Sequence, residues 1–253
     1  MQIVGYETAG TPDETAALLL AAEDGVERVS LEPGIQLAYG LARRHCAGQL
    51  SDDGHEPCDV ATAPYCDRHA DRWPCARCAG DCDLPLPECQ EEHAVYLAAF
   101  APDLFKVGVT RSWRLERRLR EQGADRAAHL RTVIDGRVAR EIETEIASSI
   151  GDSVRVAAKL DGLHRSVDDD AWEECLRTFD PIETYTFEYN IDLTERPVGE
   201  TMAAGTVRGS QGRLLVLERA GSRYAVDLRD LVGFEVTDAP AERQLQSHLG
   251  AFE

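Results

Sequence analysis

Residues 93–124, HAVYLAAFAPDLFKVGVTRSWRLERRLREQGA, decide how the rest of the chain is read. Residues 94–100 form an apolar run short enough for a buried strand, and Pro102-Asp103 marks a turn. Residues 104–109 form a second apolar, β-branched run, with Gly108 where a side chain would obstruct something close to the backbone. A helix is expected from about Ser112, a residue suited to cap it, with Leu115 and Leu119 one turn apart on its inner side. The pattern is strand, turn, strand, helix.

Charge sets the same stretch apart. Between Lys106 and Arg131 stand 8 basic residues and 3 acidic ones, a local +5 in a chain whose net charge is −19. Arginines of this kind can simply fill a solvated helix face. The sharper expectation is an anion site, because guanidinium forks bind phosphate oxygens in pairs. Lys106, Arg111, Arg114, Arg117 and Arg118 are its candidate nucleic-acid contacts.

These residues resemble a known family. Val95-Tyr96, then Lys106-Val107-Gly108, then Arg118-Leu119 with Gln122, are similar to the core of the GIY-YIG superfamily. In that pattern a Tyr stands on the first strand, a YIG-like tripeptide on the second, an Arg on the following helix and a metal-binding Glu on a later one. HAVYLA, KVGVTR and the EQGA ending also resemble an uncharacterised zinc-binding family, a domain of unknown function that joins a Cys-rich segment to this core. That closer resemblance covers roughly residues 40 to 235. It implies catalytic candidates at Tyr96, Lys106, Arg118 and Glu143, with Glu143 where GIY-YIG nucleases hold their divalent ion. Lys106 stands where the second Tyr is expected, as in some phage-type branches. A Lys of ordinary pKa keeps its proton at neutral pH and cannot act as a base unless burial lowers that pKa.

Seven of the eight cysteines fall between residues 46 and 89. Without a secretion signal, metal rather than disulfide is the expected use. Zinc takes four thiolate or imidazole ligands in a tetrahedron, and a C-x₂-C turn can place two sulfurs on one ion. Cys46, Cys58, Cys66 and His69 are assigned to a first structural site, and Cys75, Cys78, Cys82 and Cys89 to a second. His45, His55 and His93 are spare imidazoles that could replace a cysteine. Cys175, on an expected helix, reads as a core residue.

Forty-six Asp and Glu stand against 27 basic residues, of which only Lys106 and Lys159 are lysine. Acid spread along the whole chain with lysine nearly absent resembles proteins of halophilic archaeal type. In molar salt the Debye length falls to ~3 Å, so overall acidity does not argue against nucleic acid. No apolar run approaches the ~18 residues of a membrane span, so a soluble cytoplasmic protein is expected.

The fold class expected is α+β, in four parts. Residues 1–45 form an N-terminal α/β segment, with strands at 2–6 and 26–31 and a helix at 13–22. Residues 46–92 form the Cys-rich two-zinc segment. Residues 93–190 form the GIY-YIG-like core, with a third strand at 130–134, a helix at 138–150 bearing Glu143 at the edge of its apolar arc, a helix at 169–177 and a strand at 183–189. Residues 191–253 form a small antiparallel β domain with strands at 214–217, 224–228 and 232–236, after a turn-rich stretch at 205–212.

The function expected is a zinc-stabilised nucleic-acid-binding protein, its partner RNA, a ribonucleoprotein such as the ribosome, or DNA. One alternative is a GIY-YIG-type endonuclease using Mg²⁺. Another is an adaptor that docks protein partners. Convergence of Tyr96, Lys106, Arg118 and Glu143 on one place would count against the adaptor.

Overall fold

A computed structural model of the chain describes residues 1–51, 54–70 and 87–237. The chain begins with four strands, β1 (Gln2–Glu7), β2 (Ala17–Ala22), β3 (Gly25–Ser30) and β4 (Gln36–Arg44), followed by a small hairpin of β5 (Gln49–Ser51) and β6 (Gly54–Glu56). The middle runs β7 (His93–Phe100), β8 (Leu104–Arg111), α1 (Leu115–Gln122), β9 (Arg126–Val133), α2 (Gly136–Ile150), α3 (Val156–Gly162), α4 (Asp169–Leu176) and β10 (Glu183–Thr186). The last part holds β11 (Val198–Gly199), β12 (Ala203–Gln211), β13 (Leu214–Arg219), β14 (Ser222–Asp227), α5 (Leu228–Leu231) and β15 (Phe234–Thr237). The protein is α+β, and mostly strand.

β7 is the hub of a four-stranded antiparallel sheet in the order β10-β9-β7-β8. It is buried on both faces, which is why its sequence is a continuous apolar run rather than an alternation. Val95, Leu97 and Ala99 face a core closed by Ala139, Ile142 and Ile146 of α2 and Trp172 of α4. Ala94, Tyr96, Ala98 and Phe100 face the opposite side, where Leu115 and Leu119 of α1 cover them together with Phe187.

The expected strand, turn, strand and helix are present, with one change at the helix start. A 3₁₀ turn (Ser112–Arg114) precedes α1. Ser112 does not cap it: its hydroxyl is buried and finds no hydrogen-bond partner among the described residues.

The two ends of the chain, read separately from the sequence, share one nine-stranded sheet in the order β11-β14-β13-β12-β4-β15-β1-β2-β3. β4 pairs with β12 on one side and with β15 on the other, and β15 pairs with β1. Leu18, Leu20, Leu37, Leu215, Leu217 and Leu228 are all fully buried in its common core. This sheet overturns two expectations. The Ala/Leu-rich stretch expected as a helix at 13–22 carries β2, because Leu18 and Leu20 face one core while Leu19 and Ala21 face a second around Val4, and pairing on both sides outweighs helix propensity. The stretch at 205–212 is the end of β12 rather than a loop: Gly205 and Gly209 have φ of +141° and +145°, conformations in which glycine continues a strand through an irregular register.

The two sheets meet where the β12–β13 hairpin touches the C-terminus of α1. Gly123 ends the helix at φ +70°, and a Cβ there would meet the backbone of Gln211 at 2.9 Å. Gly212, at φ +54°, returns the contact, since its Cβ would lie 2.6 Å from the nitrogen of Gly123. Gln211 Nε2 then donates to the Gly123 carbonyl at 3.0 Å and to Asp125 Oδ1 at 2.9 Å. Two glycines and one amide fix how the sheets sit together.

Candidate metal centre and Tyr96 cluster

Cys46 leaves the end of β4 with its backbone N–H bonded to the Val60 carbonyl and that of Ala47 to Pro64, so the segment after β6 lies alongside. A tight turn at Cys66 follows, in which the N–H groups of His69 and Ala70 both donate to the Cys66 carbonyl. Those contacts bring Cys46, Cys58, Cys66 and His69 together, with their ligating atoms all within 4.8 Å of one another. His69 Nδ1 lies 3.4 Å from the sulfurs of both Cys46 and Cys66. Two such ligands on a tetrahedral zinc should be about 3.5 Å apart, from bond lengths of ~2.3 Å to sulfur and ~2.05 Å to nitrogen. The donor set and spacing fit, and the cluster could hold a metal ion such as zinc.

Backbone groups prepare the sulfurs for this. The N–H groups of Gly48 and Cys66 point at Cys46 Sγ from 3.4 and 3.3 Å. Burial would raise the Cys66 thiol, but N–H groups of His69 and Arg68 outweigh it and bring it to about 6. Burial pushes the Cys46 thiol up, against the N–H groups of Cys66 and Gly48.

The spare imidazoles are engaged elsewhere. His45 contacts the Cys58 carbonyl and Glu235, His55 the Ala47 carbonyl, and His93 the Glu91 carbonyl while stacking against Gly136. Of the second expected site, Cys89 lies in a short 3₁₀ turn (Pro87–Gln90), and Cys75, Cys78 and Cys82 lie outside the described residues. Cys175 of α4 packs against the α2 side of the core, and burial raises its thiol.

The catalytic candidates are neighbours. Tyr96 on β7 pairs across the sheet with Gly108 on β8, and its ring lies over that glycine so closely that a Cβ would come within 2.5 Å of it. That is the obstruction Gly108 avoids. The Tyr96 hydroxyl accepts from Gln122 Nε2 at 2.7 Å. Burial pushes the phenol above its ordinary range, Arg118 and Gln122 oppose the rise, and Glu143 adds to it. Lys106, two residues before Gly108, lies with its Nζ 3.5 Å from the Asp152 carbonyl. Burial first, then Arg118, lowers its ammonium to about 8, against the pull of Glu143 and Asp152. Glu143 is mostly buried and salt-bridged to Arg140 at 2.6 Å. Among the described residues it belongs to no group of three or more candidate metal ligands.

The arginines between residues 111 and 126 fall into four groups. Arg118 faces the Tyr96 cluster, with Glu121 3.5 Å away. Arg111 and Arg114 flank the exposed ring of Trp113, at 5.9 and 5.8 Å from its centre. Arg117 turns away, bonding Glu14 at 2.9 Å and packing over Gly10, so it ties the loop after β1 to α1. Arg120 and Arg126 are paired with Glu116 and Asp169. Much of the local +5 is therefore neutralised within the fold.

One residue next to this cluster was not anticipated. Lys159 of α3 donates to the Gln122 carbonyl at 2.9 Å and sits 3.6 Å above the Phe100 ring. Burial, then Lys106 and Arg213, lowers it to about 7. The signal was its rarity: the two lysines of the chain lie within electrostatic reach of each other.

The family model described as "Protein of unknown function (DUF2797)" matches residues 65–236, more than half of the chain. Neither the curated proteins nor the solved structures give a match.

Proposed function

The chain belongs to the DUF2797 family of proteins of unknown function, and from the site itself we propose that it is a zinc-stabilised nucleic-acid-binding protein, with RNA or a ribonucleoprotein as its partner. The observation that carries this reading is the meeting of Tyr96, Lys106, Gln122 and Arg118 at one place, with an exposed Trp113 flanked by two arginines on the same helical approach. Guanidinium and ammonium groups bind phosphate oxygens, and an exposed indole offers an unpaired base a stacking face. The resemblance of β7, β8, α1 and α2 to the GIY-YIG core supports the same reading, because that core holds a phosphodiester. In our reading two zinc ions brace the Cys-rich segment, the second on Cys75, Cys78, Cys82 and Cys89, and the acidic composition is adaptation to molar salt.

The test is binding of single-stranded RNA and DNA by the full chain at several salt concentrations. Arg118→Ala and Arg114→Ala should each weaken binding by ~1–3 kcal/mol, as for a charge-assisted bond to phosphate, with a shallower salt dependence. Unchanged affinity in both variants at low salt would remove this surface from the reading.

A second reading, a divalent-metal endonuclease, is favoured by the same convergence. Burial holds Lys106 near 8, which leaves part of the amine neutral near physiological pH. In that reading Arg118 meets the charge on the scissile phosphate, Tyr96 and Lys106 orient or deprotonate the attacking water, and Glu143 would hold Mg²⁺, which when bound polarises the phosphoryl oxygens. The salt bridge from Arg140 competes with any ion at Glu143, and for that reason binding is placed ahead of cleavage.

A further inference from the structure

The face of α1 that carries Arg118 is also one wall of a cleft of about 370 Å³, whose opposite wall belongs to the nine-stranded sheet. Among the described residues, its charged lining is Arg118, Lys159, Arg213 and Arg229 against the single carboxylate of Glu121. In a chain of net charge −19 that is a local inversion of sign. The cations come from separate elements: α1, α3, the tip of the β12–β13 hairpin and the start of α5. Arg213 is brought to the cleft by the same two-residue turn, with Gly212, that docks the sheet on α1.

These cations are incompletely used by the fold. Arg213 reaches Asp227 at 2.7 Å through Nη2, but its Nε is buried and finds no hydrogen-bond partner among the described residues. Arg229 is exposed, and among the described residues its guanidinium has no carboxylate within ion-pair distance. The Lys159 Nζ is held by a neutral carbonyl and a ring, and the repulsion from Lys106 and Arg213 is only partly offset by Asp125. An anion placed between them would relieve that repulsion. The apolar part of the lining, Val154, Val156 and Leu214, offers a sugar or base an aliphatic wall. The volume is near the lower end of the range for small-ligand sites, which suits one nucleotide of a strand better than a duplex.

We propose that the cleft between α1 and the nine-stranded sheet is a second phosphate subsite, which holds the backbone of a single nucleic-acid strand beside the Tyr96 cluster through Lys159, Arg213 and Arg229. It rests on the reading of the Tyr96 side as a nucleic-acid surface, and it makes the sheet formed by the two chain ends part of the binding machinery. Arg118, shared by both places, would pass the strand from one to the other.

The full chain is tested with single-stranded RNA and DNA octamers by fluorescence anisotropy across a KCl series, comparing Arg229→Gln, Arg213→Gln and Arg118→Ala, with Arg208→Gln as the control. Arg208 pairs with Glu218 on the sheet, outside the cleft lining. Arg229→Gln leaves no carboxylate unpaired among the described residues, so it carries the test if Arg213→Gln disturbs the hairpin. Each cleft variant should lower affinity about tenfold and reduce the salt slope by roughly one, with Arg208→Gln at wild-type affinity. Loss in Arg118→Ala with wild-type binding in Arg229→Gln and Arg213→Gln overturns the subsite and leaves the Tyr96 surface standing. Loss in Arg229→Gln with none in Arg118→Ala overturns the Tyr96 surface, and with it the subsite as a continuation of that surface. A wild-type protein that binds neither octamer at low salt overturns both.

Discussion

Lys106 and Lys159 are the only lysines of the chain, and burial lowers both. A lysine held at about 7 in the folded state and at 10.5 when unfolded loses a proton on folding between those values, so its charged form opposes folding below about pH 7 and the opposition fades as pH rises towards 10.5. Lys159→Met removes that pH dependence. The stability of Lys159→Met minus that of the wild type should therefore be largest near pH 6 and shrink steadily towards pH 10, as read by denaturant unfolding. A difference that is flat with pH would mean the folded amine is not depressed. Gly108 makes a second residue-scale case. Gly108→Ala drives a Cβ to 2.5 Å from the Tyr96 ring and should destabilise by ~1–3 kcal/mol through overpacking. Tyr96→Ala should suppress most of that cost in the double variant. Additive losses would show that the ring is not the obstruction.

At the scale of elements, what could be read from the sequence was what local pattern controls. The β7–β8–α1 order was legible because its apolar runs, Pro102 and the Leu115/Leu119 spacing are short-range signals, and the α2 arc was legible for the same reason. Gly108 announced an obstruction but not its owner, since Tyr96 is twelve positions away and meets it only through sheet register. β2 was misread because Ala and Leu favour a helix until two strands pair with them. The union of β4 with β12 and β15 could not be read at all, because pairing across more than 160 residues leaves no local trace. The grouping of Cys46, Cys58, Cys66 and His69, which could hold a metal ion, was legible because few other side chains suit zinc, although its three cysteines and one histidine span 24 positions. It joins the end of β4 to a turn without strands of its own, so metal should supply much of the order there. Cys66→Ser should lower the metal content by about one ion per chain and expose the amides of residues 45–47 to hydrogen exchange. Metal content equal to the wild type would remove Cys66 from the ligand set.

At the scale of the whole molecule, charge and fold pull in opposite directions. The chain carries −19, and a compact body of one sign repels itself. Its basic residues answer this pair by pair: Glu121 is within ion-pair distance of Arg114, Arg117 and Arg118, while Arg117 crosses to Glu14 and Arg126 to Asp169. With 46 acidic residues against 27 basic ones, the acid exceeds what the bases can pair. Screening does for that remainder what ion pairs do for the patch, since the Debye length contracts from ~10 Å in 0.1 M salt to ~3 Å in 1 M. The melting temperature should therefore climb between about 0.1 and 1 M KCl and flatten above that, where repulsion is already screened. Octamer affinity should fall over the same range, because salt that relieves self-repulsion also displaces phosphate from arginine. Calorimetry and anisotropy on one protein preparation separate the two trends. A melting temperature unchanged from 0.1 to 1 M, or one that rises only above it, would mean that self-repulsion is not what limits this fold.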